Sequence, residues 1–154
     1  MKNISFLLLF ISACLQSQNQ DINDAKAALK NFYETGSQLN VKKLKQFMTA
    51  KYIEINKGQI ITGDSLLKNV TESAKTVKAE KAKYSRNNKF KFVNAFVNGN
   101  VAWMTYYLRS IEKYNETVEE SFAIETVLLE KENGVWKVSQ LNSSSTTDQE
   151  EEED

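Results

Sequence analysis

The fold of this chain is decided by residues 98–117, which read NGNVAWMTYYLRSIEKYNET. The dipeptide Asn98-Gly99 favours a tight hairpin turn, because its backbone needs positive φ angles. Val101–Tyr114 then alternates with the period of two that is typical of a strand. This strand is longer than the usual strand of about 3–10 residues. We therefore expect β-bulges or strong curvature in the sheet that contains it.

The pattern extends in both directions from this strand. Further period-two segments and their turns predict strands at Phe90–Val97, Val118–Glu132 and Val135–Asn142. Upstream, apolar residues at spacings of three and four predict a helix at about residues 21–37, a short helix after Asn40 and a third after Asp64. Residues 51–62 between the second and third helices predict a hairpin. The sequence therefore predicts an α+β domain with three N-terminal helices packed on one face of a strongly curved antiparallel sheet.

Both faces of the long strand begin with apolar residues. The alternating positions are Val101, Trp103, Thr105 and Tyr107 on one face, and Ala102, Met104, Tyr106 and Leu108 on the other. One face would meet the helices, and no segment remains to cover the other. The pattern therefore predicts a homodimer through the outer sheet face, and the alternative is a sheet curled enough to hide these side chains.

Composition excludes several classes of chemistry. The chain has 154 residues, 20 basic and 20 acidic side chains, no histidine and one cysteine. Without histidine it lacks the commonest base at neutral pH and the commonest metal ligand. One cysteine cannot form a disulfide framework or a zinc–thiolate site. Since the sequence also contains no glycine-rich phosphate loop or nucleophile elbow, we expect no metal and no cofactor.

The N-terminal residues have the layout of a secretory signal peptide, which we assign to residues 1–19. Lys2 is followed by the apolar run Phe6–Ile11 and then by small and polar residues. Residues 11–14, ISAC, also resemble a bacterial lipobox, in which Cys14 would be lipidated. Ordinary cleavage near Ser17 is the alternative. Either process predicts export to the periplasm, the cell envelope or the medium, with membrane attachment only through a lipid anchor.

Charge is distributed unevenly along the chain. An acidic tail, predicted to be disordered at residues 146–154, follows the predicted domain at residues 20–145 and contains the run DQEEEED. A basic stretch lies at Lys75–Lys91, where Glu80 is the one acid. We interpret this stretch as a solvated helix end and loop, with an anionic lipid or polymer as the alternative partner. No aromatic residues interleave as stacking platforms for bases, so we expect no nucleic acid.

Three segments resemble the nuclear transport factor 2-like superfamily in its SnoaL-like branch. They are AKYIEINKGQIITGD at residues 50–64, NVAWMTY at residues 100–106 and NGVWKV at residues 133–138. The resemblance covers about residues 21–145. It implies a cone-shaped domain with a cavity between the first helix and the concave face of the sheet. Because this fold hosts enzymes, small-molecule binders and association modules, it does not fix the function.

The enzymes of this superfamily supply patterns that can be compared with the chain. Ketosteroid isomerases use an aspartate base and an oxyanion hole made by a tyrosine and a neutral aspartic acid. Alignment places Phe32 near that tyrosine and Asn56 near that base, and neither residue can do this work. Related cyclases and dehydratases use aspartate or histidine pairs. Histidine is absent here, and the closing strand reads SQLN at residues 139–142.

One catalytic candidate remains, Glu125, in an apolar strand. Burial would raise its pKa and make it a base, but the favoured interpretation is that it faces solvent or pairs with Arg109. Strand alternation predicts that Glu54 faces solvent. We interpret Asp64 as a helix cap. Several aromatic residues are candidates for lining a ligand pocket: Phe32, Tyr33, Phe47, Tyr52, Trp103 and Tyr107.

Two functions follow from the sequence, and Glu125 discriminates between them. The first is a non-catalytic exported module that binds an apolar small molecule or associates with itself. The second is an enzyme of the isomerase, cyclase or dehydratase kind, acting on a small hydrophobic carbonyl compound through Glu125 and a nearby tyrosine. A Glu125 on the cavity wall within reach of Tyr33 or Tyr107 favours the enzyme, whereas a solvent-facing Glu125 leaves no credible base.

Overall fold

Helices and strands follow one another in the predicted order. The structure, a computed structural model, describes residues 2–147, with side chains from Asn19 onward. Its elements are α1 (Lys2–Ser37), α2 (Val41–Leu44), a 3₁₀ turn (Lys45–Phe47), β1 (Met48–Asn56), β2 (Gln59–Thr62), α3 (Gly63–Glu80), β3 (Tyr84–Asn98), β4 (Val101–Tyr114), β5 (Thr117–Glu132) and β6 (Val135–Thr146). The predicted α+β class is confirmed.

The six strands form one open sheet in the order β2-β1-β6-β5-β4-β3. All neighbouring pairs are antiparallel except β1 and β6, which run parallel. Register shifts interrupt three of the pairings, between Phe92 and Asn94, between Leu128 and Leu129, and between Met48 and Ile53. These irregularities confirm the expectation of bulges, which bend and twist long strands.

Glycines occupy the turns in which the backbone needs a left-handed conformation. Gly99 has a φ angle of 57° between β3 and β4. In the β5–β6 turn, Asn133 has 51° and Gly134 has 80°. Both predicted hairpin turns are therefore confirmed, and each joins two antiparallel neighbours in the sheet.

α1 packs its apolar stripe on the concave face of the sheet, with Ala25, Leu29 and Phe32 buried. The helix begins at Lys2 rather than near residue 21, and no proline or glycine interrupts it before Gly36. The side chains of the predicted signal segment and Cys14 lie outside those described, as does the tail from residue 148 onward.

Of the two predicted helix caps, the one for α2 is confirmed and the one for α3 is wrong. Asn40 caps α2, since its side-chain oxygen accepts a hydrogen bond from the Lys43 amide at 3.1 Å. The N-cap of α3 is Thr62, whose hydroxyl accepts from the Ser65 amide at 3.3 Å. Asp64 lies inside the first turn instead, where a negative charge still favours the positive end of the helix dipole.

The two largest differences from the predicted strand bounds are in β3 and β6. β3 begins at Tyr84 rather than at Phe90, so Arg86 and Lys89 belong to a strand and not to a loop. β3 is an edge strand, where charged side chains discourage pairing with other chains. β6 runs on to Thr146, four residues past the predicted strand end at Asn142.

The two faces of β4 differ sharply in burial. Ala102, Met104 and Tyr106 have no exposed surface, whereas Val101 and Trp103 are each 44% exposed. The helices therefore cover one face and leave the other open. The predicted homodimer through the open face remains a prediction.

Candidate functional site

A cavity of about 730 Å³ lies between the helices and the concave face of the sheet. α1 contributes Phe32 and Tyr33 to its wall, and α3 contributes the apolar side of its helix, including Val70. The exposed residues Lys57 and Ser145 at one end of the wall show that this end opens to solvent. The opposite end of the sheet is closed by the packed core.

A polar row crosses the concave face at the inner end of the cavity. Tyr106 on β4 pairs with Glu125 on β5, Glu125 pairs with Ser143 on β6, and Ser143 pairs with Asn56 on β1. Side chains of directly paired residues lie on the same face of a sheet, about 5 Å apart. The register of four strands therefore brings these polar side chains together.

Glu125 is the buried acid of this row. It is 4% exposed, and a carboxylate oxygen accepts a hydrogen bond from the Tyr33 hydroxyl of α1. The Tyr33 and Tyr106 hydroxyl oxygens are 3.3 Å apart. Two phenols and one carboxyl group thus form a connected cluster on the cavity wall, which we call the Glu125 cluster.

Burial raises the pKa of each of the three side chains in this cluster. Desolvation raises the pKa of Glu125, although hydrogen bonds from Tyr33, Ser143 and Tyr106 oppose the rise by stabilising the charged form. Burial also raises the pKa of Tyr33 and of Tyr106 well above the usual value of a phenol. The two phenols therefore stay protonated as hydrogen-bond donors, while Glu125 holds its proton to a higher pH than an exposed glutamate.

A second acid faces the same cavity from β1. Glu54 accepts a hydrogen bond from the Tyr52 hydroxyl at 3.2 Å and another from the Asn56 side-chain amide at 3.1 Å. The prediction that Glu54 faces solvent is wrong. Tyr52 is 2% exposed and points inward, so Glu54 and Asn56, two and four residues later, point to the same face. The negative charge of Glu54 adds to the rise in the pKa of Glu125.

The sequence is similar to a known protein family. A family model described as a SnoaL-like domain matches residues 25–148. The chain belongs to the SnoaL-like domain family. This confirms the resemblance that residues 50–64, 100–106 and 133–138 carry. No curated protein matches the chain in sequence.

Solved structures confirm the fold of this SnoaL-like domain. A ketosteroid isomerase-like protein from Erwinia carotovora atroseptica is 12% identical, with a TM-score of 0.65 over 84% of this chain and 99% of the other. A protein of the NTF2-like family from Streptomyces avermitilis is 12% identical, with a TM-score of 0.67 over 85% and 99%. A conserved protein from Planctomyces limnophilus is 10% identical, with a TM-score of 0.71 over 84% and 100%. At these identities the similarity shows the fold alone.

Four of the six predicted pocket aromatics lie at or near the cavity of the SnoaL-like domain. Phe32 and Tyr33 line it. Tyr52 is buried beside Phe32, with ring centroids 5.7 Å apart, and Phe47 packs against the same core. Ligand binding by these residues remains a prediction.

The other two aromatics, Trp103 and Tyr107, lie on the outer face of the sheet. Both were predicted to line the pocket, and strand alternation explains the error. The even-numbered residues of β4 point inward, so Leu108 lines the cavity and Tyr106 is buried at its inner end, beside Tyr33.

The favoured interpretation of Glu125 is also wrong. Arg109 lies on the outer face, where its guanidinium pairs with Glu120 rather than with Glu125. Tyr106, which sequence reasoning did not select, could have been found from the turn after β4. That turn pairs Tyr114 with Thr117, and an uninterrupted antiparallel register from there places Tyr106 opposite Glu125.

In the part of the chain that the structure describes, no three or more His, Cys, Asp or Glu side chains are grouped so that they could hold a metal ion. No helix in that part combines the length and apolar character needed to cross a membrane.

Proposed function

We propose that this SnoaL-like domain is an enzyme that moves a proton next to a carbonyl group of a small, mainly apolar molecule. The supporting observation is the burial of Glu125 against Tyr33 on the wall of a cavity. This is the arrangement that favours an enzyme over a purely binding module. Buried carboxyl groups with a raised pKa are enriched at active sites, because acid–base work near neutral pH requires them.

In this proposal the Glu125 cluster receives the carbonyl oxygen of the substrate. The phenol of Tyr33 reaches the cavity and stays protonated, and when substrate binds its single proton turns from the Glu125 carboxyl group to that oxygen. Glu125 in its neutral form provides a second donor. Fixed donors in a poorly hydrated site stabilise the negative charge that develops on a carbonyl oxygen during reaction.

Glu54 is the proposed base. Its carboxylate takes a proton from the carbon next to the carbonyl group, and the electron pair of that C–H bond forms a C=C bond. The π electrons of the C=O bond move onto the oxygen, where Tyr33 and Glu125 stabilise them. Return of the proton to another carbon of an unsaturated substrate completes an isomerisation, whereas return to the same carbon gives only hydrogen exchange. Glu54 and Glu125 lie two strands apart, or about 10 Å, which leaves room for a substrate between them.

An apolar part of the cavity wall favours apolar substrates. Phe32, Leu44, Leu108 and Leu141 belong to this part, while serine, asparagine and charged side chains make up much of the remaining wall. Apolar walls contribute binding energy through buried area and strengthen the electrostatic interactions inside by lowering the local polarity.

The test is hydrogen–deuterium exchange of 2-decanone, a simple apolar ketone, in D₂O. We expect the protein to accelerate loss of the proton NMR signal from the carbons next to the carbonyl. Glu54→Gln should still bind 2-decanone but lose the acceleration, because an amide does not accept a proton near neutral pH. Binding without accelerated exchange by the wild-type chain would instead support the non-catalytic binding module, and absence of binding would contradict both.

We also propose that the chain forms a homodimer through the outer sheet face. The support is the exposure of large apolar side chains there, with Phe96 58% and Trp103 44% exposed. Native mass spectrometry of the wild-type chain and of Trp103→Lys tests it. A dimer that the substitution converts to a monomer is expected, and a monomeric wild type would contradict the proposal.

Export is a further proposal, supported by the charged start and apolar run of residues 2–11. The intact mass of the protein purified from its source separates the two routes. A lipid-modified Cys14 at the new N-terminus indicates anchoring, and an unmodified terminus near Ser17 indicates ordinary cleavage. A chain that retains residues 1–19 would contradict export by either route.

A further inference from the structure

The cavity continues from the Glu125 cluster toward solvent and ends at a second polar group. Ser110 of β4 is 3% exposed and donates a hydrogen bond to the Asn88 side-chain oxygen at 2.7 Å. The Asn88 amide donates in turn to the Ser37 hydroxyl of α1 at 2.8 Å. Arg86 of β3 lies beside this chain, with its guanidinium 3.4 Å from the Ser110 hydroxyl.

Arg86 is placed at the cavity wall with much of its hydrogen-bonding capacity unused. A guanidinium has five N–H donors. Among the described residues, it contacts the Ser110 hydroxyl and forms an ion pair with Glu112 at 3.8 Å, which is longer than a normal hydrogen bond. Both members of the ion pair line the cavity and are about two-fifths exposed. A planar cation is therefore held loosely and open to the cavity.

The separation of the two polar groups can be estimated from the strand that joins them. Tyr106 and Ser110 both point inward from β4 and are four positions apart, which corresponds to about 13 Å. The wall between them is apolar, with Leu108 on β4 and Ala123 on β5. A ligand that contacts both polar groups must be elongated, with an apolar middle and a polar group at each end.

We propose that Arg86 binds a carboxylate at the outer end of the ligand, so that the substrate class is an elongated oxo-carboxylic acid. The carbonyl end of this assignment rests on the proposed function of the Glu125 cluster. Carboxylates match the fork of a guanidinium with two parallel hydrogen bonds, which are stronger than the loose contact with Glu112. Ser110 accepts a hydrogen bond from the Arg86 guanidinium and donates its own proton to Asn88, so it helps to position the guanidinium at this point.

Other acids near the cavity do not cancel this preference. Glu112 is half-exposed and can turn into solvent when a ligand carboxylate replaces it. Glu72 is exposed and paired with Lys75 at 2.9 Å. Glu54 and Glu125 belong to the inner polar group, about 13 Å from Ser110 along the strand direction. The positive charge at the outer end is therefore the one that an incoming anion meets.

The test compares two probes on the full-length chain. 9-Oxodecanoate has a carboxylate and a ketone about 10 Å apart when extended, and 2-decanone has the ketone alone. We expect the wild type to bind the oxo acid at least about tenfold more tightly by calorimetry, since hydrogen bonds to charged groups are among the strongest. Arg86→Gln should abolish this preference and leave 2-decanone binding unchanged. Arg109→Gln on the outer face is the matched control and should leave the preference intact.

A second variant tests the proposal independently, in case Arg86→Gln does not fold. Glu112→Gln removes the competing carboxylate, so it should tighten 9-oxodecanoate binding by a few-fold and leave 2-decanone binding unaltered. Equal binding of both probes by the wild type would overturn the oxo-acid assignment and leave the proposed function standing. Failure to bind either probe would remove the proposed function and this assignment with it.

Discussion

Glu120 and Glu125 lie on the same strand, β5, and have opposite surroundings. Glu120 is on the outer face, where it pairs with Arg109 in contact with solvent. Glu125 is on the concave face, 4% exposed, among phenols. They are five positions apart, an odd number, and this alone places them on opposite faces. The comparison shows that the face of the sheet, rather than residue type, decides which carboxyl group can have a raised pKa.

The largest expected difference between these two acids is in the proposed exchange reaction. Glu125→Ala removes the proposed second donor to the developing oxyanion, so it should slow the exchange of 2-decanone about 10²–10³-fold, the range typical of losing such a donor. Glu120→Ala should change it less than about twofold, because that side chain does not reach the cavity. Proton NMR in D₂O measures both rates. Equal rates for the two variants would show that the concave face has no special role.

The next largest effect contrasts the two faces through their apolar residues. Met104 is fully buried and Trp103 beside it is 44% exposed. Met104→Ala should lower the free energy of unfolding by about 2–5 kcal/mol, because it leaves a cavity in the core. Trp103→Ala should lower it by less than about 1 kcal/mol in the monomer. Urea denaturation at low protein concentration measures both, and a larger loss for Trp103→Ala would contradict the assignment of faces.

Periodicity was sufficient to predict the fold but not the site. Alternation in residues 101–114 and the turns at Gly99 and Gly134 define the meander without help from tertiary structure. Which face of each strand meets the helices depends on register, and the site depends on four registers at once. The pair Tyr106–Glu125 was within reach of sequence reasoning, because the short turn between β4 and β5 fixes the pairing of those two strands. Ser143 was not, because the register shift between Leu128 and Leu129 moves it opposite Glu125.

Other features could not be predicted from local sequence. Glu54 points inward because β1 pairs in parallel with β6, a long-range contact that no turn encodes. The hydrogen bond from Tyr33 to Glu125 depends on where α1 crosses the sheet. The apolar neighbours of Glu125 in sequence suggested a buried strand, yet an arginine available on the same strand pair suggested a solvent-exposed ion pair. In the structure, Arg109 forms an ion pair with Glu120 instead.

The pH dependence of stability gives a smaller but still clear contrast. Because burial raises the pKa of Glu125, the folded protein binds more protons than the unfolded chain above the ordinary glutamate pKa of about 4.3. Its contribution to stability is therefore fully present below that pH and is lost as the pH rises through the folded-state pKa. Glu125→Gln removes this loss, so its stability relative to wild type should increase from pH 4 to pH 8.

Urea denaturation at several pH values measures this trend, and Glu120→Gln is the control. Its stability difference from wild type should lack the upward trend, because Glu120 stays exposed beside a cation. A parallel pH profile for wild type and Glu125→Gln would mean that Glu125 has the same affinity for protons in the folded and unfolded chains. That result would remove the physical basis for treating it as an acid.

The smallest effect concerns the ion pair between Arg109 and Glu120. Both side chains are more than a third exposed, so a double-mutant cycle with Arg109→Gln and Glu120→Gln should give a coupling of about 0.2–1 kcal/mol that decreases with salt. The same cycle between Arg109 and Glu125 should give no coupling beyond experimental error, because the sheet separates the two side chains. A measurable coupling in the second cycle would place Glu125 on the outer face and reverse the comparison. Since the cycle measures pairwise energy and not activity, it tests the geometry of β5 independently of any substrate.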